Sequence, residues 1–180
     1  MKRILTIATD GFEQSELLGP KSLLEEAGAQ VTVASLEDGE IKGWDNGNWG
    51  KSVAVDVTVD EVASADYDAL LLPGGQINPD ILRMNDTVVE LVQAFNSENK
   101  PIAAICHAPW LLAEADIIAG KTVTGWPSIR TDLRNAGGEV VNKTVAVDGN
   151  IITSRNPDDI PAFTTTLMSA LGMAKVTENA

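Results

Sequence analysis

At 180 residues the chain has the length of one domain, enough to bury a core without disulfide or metal clamps. Thirteen Lys and Arg against 26 Asp and Glu give a net charge of −13, which repels phosphate backbones and anionic lipid and excludes nucleic acid and membrane as partners. With a single cysteine, an opening (MKRILTIATDGF) too briefly apolar for a secretory signal, and no apolar run near the ~20 residues of a membrane span, the sequence predicts a soluble cytoplasmic protein.

Short β-branched runs alternate with amphipathic stretches of helical length, which predicts one doubly wound α/β domain over 1–180, a mostly parallel sheet with helices on both faces. RILTIAT (3–9), QVTVASL (30–36), DALLLPGG (68–75) and PIAAIC (101–106) read as strands. The first, third and fourth are apolar almost throughout, as interior parallel strands are. Helices are predicted in SELLGPKSLLEEAG, stopped by Gly28, and in NDTVVELVQAFNSEN, with Asp86 as N-cap. The segment 37–59 carries four glycines and two tryptophans and reads as a hairpin leaving the sheet, with Trp44 and Trp49 closing it over the core; a binding role for the two indoles is the alternative. Beyond Cys106 follow a helix to about Asp116, a strand at KTVTGW, and a helix in PSIRTDLRNAGG ended by Gly137. A hairpin at TVAVDGNIIT turns at Asp148-Gly149, and a last helix from Pro157 to about Leu171 precedes a fraying polar tail.

The only cysteine and the only histidine are neighbours, Cys106 and His107, inside IAAICHAPWLLA. A tight strand-to-helix turn that presents a nucleophile requires small residues two positions either side, and Ala104-Ile105-Cys106-His107-Ala108 meets that pattern between a β-run and a helix. At a helix start the dipole and free N–H groups favour thiolate, which makes Cys106 a candidate nucleophile. The alternative is a cysteine buried as a small hydrophobe at the end of a core strand. Pro73-Gly74-Gly75 ends the neighbouring strand, where glycines let backbone N–H groups approach a ligand; an ordinary turn is the competing reading. Near the end of the first strand, Glu13 is placed to point at Cys106, while Glu16 reads as a partner of the helix dipole.

DGFEQSEL, LLLPGG, AAICHAPWLLA and SRNPDDIPAF, in this order and spacing, resemble the PfpI family of intracellular proteases, stress proteins and deglycases, within the class I glutamine-amidotransferase-like superfamily. The resemblance covers nearly the whole chain. It implies a flavodoxin-like α/β sandwich, a homodimer or larger oligomer, and no metal or organic cofactor. It also implies a nucleophile at Cys106, an elbow histidine at His107, a cysteine-bonding glutamate at Glu13, and oxyanion N–H groups from Gly75 and His107. Where proteases of the family carry a glutamate after PGG, this chain has QINPD, which leaves Asp80 as the carboxylate expected to reach His107 from a second subunit. Trp126 stands where several members place a tyrosine near the cysteine. The function so implied is a stress-response, cysteine-dependent enzyme acting on small reactive carbonyls or on glycated protein or peptide. The alternatives are a PfpI-type cysteine peptidase and a non-catalytic redox-responsive protein or holdase with an oxidisable Cys106. A carboxylate beside the thiol aids it only when protonated and donating a hydrogen bond.

Overall fold

The computed structural model describes residues 1–173. β1 (Arg3–Ile7) leads through the two-residue β2 (Phe12–Glu13) into α1 (Gln14–Glu26) and then β3 (Gln30–Ser35). β4 (Glu40–Asp45) and β5 (Asn48–Ala54) form a hairpin, and β6 (Val57–Thr58) returns to the sheet edge. β7 (Ala69–Leu72), α2 (Ile77–Leu82), α3 (Asp86–Ser97), β8 (Ile102–Ile105) and α4 (Pro109–Glu114) make the centre of the chain. β9 (Thr122–Val123), α5 (Arg130–Asn135), β10 (Glu139–Val140), β11 (Val145–Asp148), β12 (Ile151–Ser154) and α6 (Ile160–Ala170) complete it.

The main sheet has seven strands in the order β11-β12-β8-β7-β1-β3-β6, parallel except for the β11–β12 hairpin. Side chains on a strand alternate between faces, so each central strand feeds two cores. Leu5, Ile7, Leu70, Leu72, Ile102 and Ala104 pack under α3 and α4, while Ile4, Ala69, Leu71, Ala103 and Ile105 pack against α1 and α6. The result is the expected flavodoxin-like three-layer sandwich. Among the described residues no helix is long and apolar enough to cross a membrane.

All four leading strand predictions fall on strands. The register pairs Asp148 with Ile151, so the β11–β12 turn is Gly149-Asn150, one residue beyond the predicted pair, with Gly149 supplying the positive φ. α3 is capped by Asn85 rather than Asp86: the Asn85 side chain accepts the Val88 N–H at 3.0 Å, the bond an N-cap makes to its third helical residue. The 37–59 excursion is a hairpin whose three-stranded sheet orders as β2-β4-β5. Its tryptophans do not close over the core, which is covered there by Phe12, Leu17, Val33 and Ile41. They pair edge to face at 5.2 Å, with Trp49 half exposed and Trp44 turned towards Cys106. The expected tail lies outside the described residues.

Candidate active site

The sheet order runs β3 on one side of β1 and β7, β8, β12 on the other, so the chain reverses direction across the sheet between β1 and β7. Ligands of open α/β sheets bind beyond the carboxyl ends of strands at such a reversal. The residues that follow β1, β7, β8 and β12 converge there around Cys106.

β8 ends at Ile105, and Cys106 then turns into the left-handed region with φ +64°, a conformation that costs a non-glycine residue about 1 kcal/mol or more. Neighbours hold it there. Its N–H donates to the Ser154 carbonyl at 3.1 Å, and its own carbonyl accepts the Trp126 N–H at 2.8 Å. Ala104 and Ala108 are fully buried on either side, as the elbow pattern requires.

The end of β7 touches this turn directly. A Cβ on Gly74 would stand 2.6 Å from the Ile105 carbonyl oxygen and 2.7 Å from the Cys106 Cβ, so only glycine fits. The Gly74 N–H donates to Glu16 Oε2 at 2.8 Å and is therefore not available to an oxyanion. The free pair is the Gly75 N–H, on a backbone with φ +86°, and the His107 N–H; both point at the Cys106 sulfur. Gly74 thus serves as a packing and anchoring residue, a correction to its expected place among the oxyanion donors.

Glu16, not Glu13, is the carboxyl that lies against Cys106. α1 begins at Gln14, which leaves Glu13 at the cap and puts Glu16 on the inward face with Leu17, Pro20 and Leu24. Pro20, lacking an N–H, gives the Glu16 carbonyl no helical partner, which leaves the first turn less constrained. Glu16 is fully buried and its Oε1 has no partner among the described residues. Burial pushes its carboxyl up to about 8, opposed by the Gly74 N–H and reinforced by the Glu13 charge. A proton on Glu16 at neutral pH makes the carboxyl, which lies against the Cys106 sulfur, a hydrogen-bond donor in place of a buried charge. Glu13 sits half-buried at the cavity mouth, where one carboxylate oxygen accepts the Ser15 hydroxyl at 3.0 Å.

Burial pushes the Cys106 thiol well above its ordinary range; a Glu16 charge acts in the same direction, and the Gly75 and His107 amides oppose it. With Glu16 protonated its charge is gone, and burial is the cause that stands. The expectation of a thiol lowered by a helix N-terminus is corrected: α4 has only six residues, and Cys106 is 5% exposed.

His107 Nδ1 lies 3.2 Å from the sulfur and Nε2 lies 3.5 Å from the Ser128 hydroxyl. The ring stacks on Trp126 at 5.8 Å and meets the edge of Trp110 at 5.2 Å. Burial lowers its pKa, so the imidazole is neutral with a lone pair to offer. No carboxylate bonds this ring among the described residues. Asp80 is exposed on α2 and does not line the cavity of its own chain. Trp126, Trp44 and Pro157 wall a cavity of about 240 Å³ over the sulfur. Ser128 and Pro157 carry no site signal in the sequence, and Trp44 takes the binding position that is the alternative to core closure. Glu16 was discoverable: it falls at the i−4 and i−8 positions of the buried Pro20 and Leu24, a carboxyl inside an apolar stripe.

The sequence profile of the DJ-1/PfpI family matches residues 2–170. General stress protein 18 of Bacillus subtilis is 45% identical over 163 residues, 90% of this chain and 93% of that protein. Deglycase PfpI of Pyrococcus furiosus is 42% identical over 161 residues, 89% of this chain and 94% of its own length. Among solved structures, Drosophila melanogaster DJ-1beta superposes with a TM-score of 0.88 at 34% identity, covering 98% of this chain and 94% of that one. With the elbow, the glycine pair and the buried glutamate all in place around Cys106, this chain belongs to the DJ-1/PfpI family.

Proposed function

We propose that the protein is a cysteine-dependent enzyme that removes small carbonyl compounds from protein adducts, a deglycase, working in the cytoplasm under carbonyl stress. One observation carries the reading: a single thiol at a strained elbow on which two backbone N–H groups and a buried carboxyl converge. The relative named for deglycase activity, similar over nearly its whole length, supports it. A cavity of about 240 Å³ holds a three-carbon carbonyl and the end of one side chain, not an extended peptide, which favours this over the peptidase alternative.

The chemistry balances without an external oxidant. Collapse of a hemiaminal or hemithioacetal adduct expels the amine or thiol and leaves a dicarbonyl. The Cys106 sulfur adds to its aldehyde carbon as the thiol proton passes to His107 Nδ1, 3.2 Å away, and on to the oxygen that receives the C=O electron pair, which the Gly75 and His107 N–H groups hold. A proton then passes from that carbon to the neighbouring one, so the first carbon is oxidised to a thioester as the second is reduced to an alcohol. Water cleaves the thioester, giving a hydroxy acid and the free thiol. His107, neutral again and within 3.2 Å of the sulfur, accepts and returns the carbon-bound proton, while Glu16 gives its proton to the second carbonyl oxygen and recovers one from the first as the thioester C=O forms.

The test is turnover of methylglyoxal, of its arginine and cysteine adducts, and of casein by wild type and Cys106→Ser. The expected result is carbonyl and adduct turnover that falls by at least ~100-fold in the variant, whose hydroxyl has almost no ionised population, with the fold intact. Wild-type rates in Cys106→Ser, or casein cleavage alone, overturn the reading.

A further inference from the structure

Among the cavity residues that have no part in the chemistry above are Glu13 and Trp44. Glu13 presents a carboxylate at the mouth, with one oxygen on Ser15 and the other without a partner among the described residues. Trp44, from the β4–β5 hairpin, and Trp126 both line the cavity, so two indoles border it. No lysine or arginine lines the cavity, and the chain carries a charge of −13. Indole faces and a carboxylate together attract cations, and a planar guanidinium stacks on indole while its N–H groups reach a carboxylate.

We infer that Glu13 and Trp44 are specificity-determining residues that select adducts whose nitrogen stays positively charged, arginine adducts foremost, over the neutral adducts of cysteine. The inference rests on the deglycase reading for turnover but not for binding. A bound cation has a second effect: placed within about 6 Å of the sulfur it favours thiolate and offsets the burial that holds Cys106 protonated. The right substrate then activates the nucleophile on arrival.

The chain has one cysteine, so an isotope-labelled thiol reports its own ionisation by NMR. Ethylguanidinium is expected to bind and to lower the Cys106 titration midpoint by about one pH unit, whereas its neutral isostere ethylurea does neither. Glu13→Gln, and separately Trp44→Leu, should each weaken this binding and lower the kcat/KM ratio of arginine adduct over cysteine adduct by about tenfold. Trp44→Phe, which keeps a ring, should retain most of the ratio and guards against a misfolded hairpin. Equal responses to ethylguanidinium and ethylurea, or an unchanged ratio in both variants, overturn the inference. Cation binding with a shifted thiol but no turnover of any adduct supports it while removing the deglycase reading; turnover without cation preference does the reverse.

Discussion

Glu16 combines full burial with a hydrogen bond from a backbone N–H and, among the described residues, one oxygen that accepts no hydrogen bond, and this makes its proton part of the folded state. Its folded value of about 8 lies above the ordinary 4.5, so folding takes up a proton. Below about pH 4.5 both states hold that proton and nothing is lost. Between there and about 8 the unfolded chain ionises while the folded one resists, and stability falls with rising pH by up to about 1.4 kcal/mol per unit. Glu16→Gln imitates the protonated carboxyl, so denaturant midpoints at pH 5 and pH 7.5 should differ less in the variant than in wild type; parallel curves would mean an ionised Glu16. Peroxide tests the same contact chemically. Despite the burial of Cys106, oxygen is expected on it ahead of the four methionines because the neutral His107 ring, 3.2 Å from the sulfur, takes up the thiol proton as the sulfur attacks, and Glu16→Leu, which removes the carboxyl against the sulfur, should change how far oxidation runs beyond sulfenic acid, read by peptide mass. Methionine sulfoxides beside an untouched Cys106 would show an inert thiol.

At the scale of elements, the elbow depends on the ends of β7 and β8 touching, and Gly74 is what lets them. Gly74→Ala puts a methyl group against the Ile105 carbonyl, where backbone has to move, and should cost at least ~2 kcal/mol, a fall in Tm of roughly 4–8 °C for a chain of this size. An unchanged Tm would mean that the contact is loose. The strands and the elbow were legible because their signals are local: apolar runs bounded by turns, and small residues at fixed offsets from Cys106. Glu13 was preferred to Glu16 because proximity to the strand end was read before the helix's inward stripe. The difference of three residues turns the carboxyl by most of a turn, from the cavity mouth to the buried wall. The placement of Trp44 at the cavity had no local signal. It follows from β4 pairing with β2, which hangs the hairpin over the cavity, and such pairing between distant segments leaves no mark in either one.

For the whole molecule, the His107 Nε2 has among the described residues the Ser128 hydroxyl at 3.5 Å as its hydrogen-bond partner, weaker support than a carboxylate gives. Asp80, exposed on α2, remains the proposed contributor from a second subunit. Asp80→Ala should then lower activity without unfolding, and mixing it with Cys106→Ala should restore part of the rate through hybrid dimers that hold one intact site. A monomer by light scattering, or silent mixtures despite subunit exchange, would leave the ring to Ser128. The site is also scattered along the chain: Glu16, Gly75, Cys106, Trp126 and Pro157 come from five separate stretches, and the Cys106 N–H is held by Ser154. During synthesis, therefore, the cysteine leaves the ribosome long before the strand that fixes its backbone, and it spends that interval as an ordinary thiol. The protein acquires its chemistry late and all at once, when β12 docks beside β8, so a chain stalled before residue 150 carries the nucleophile without the enzyme.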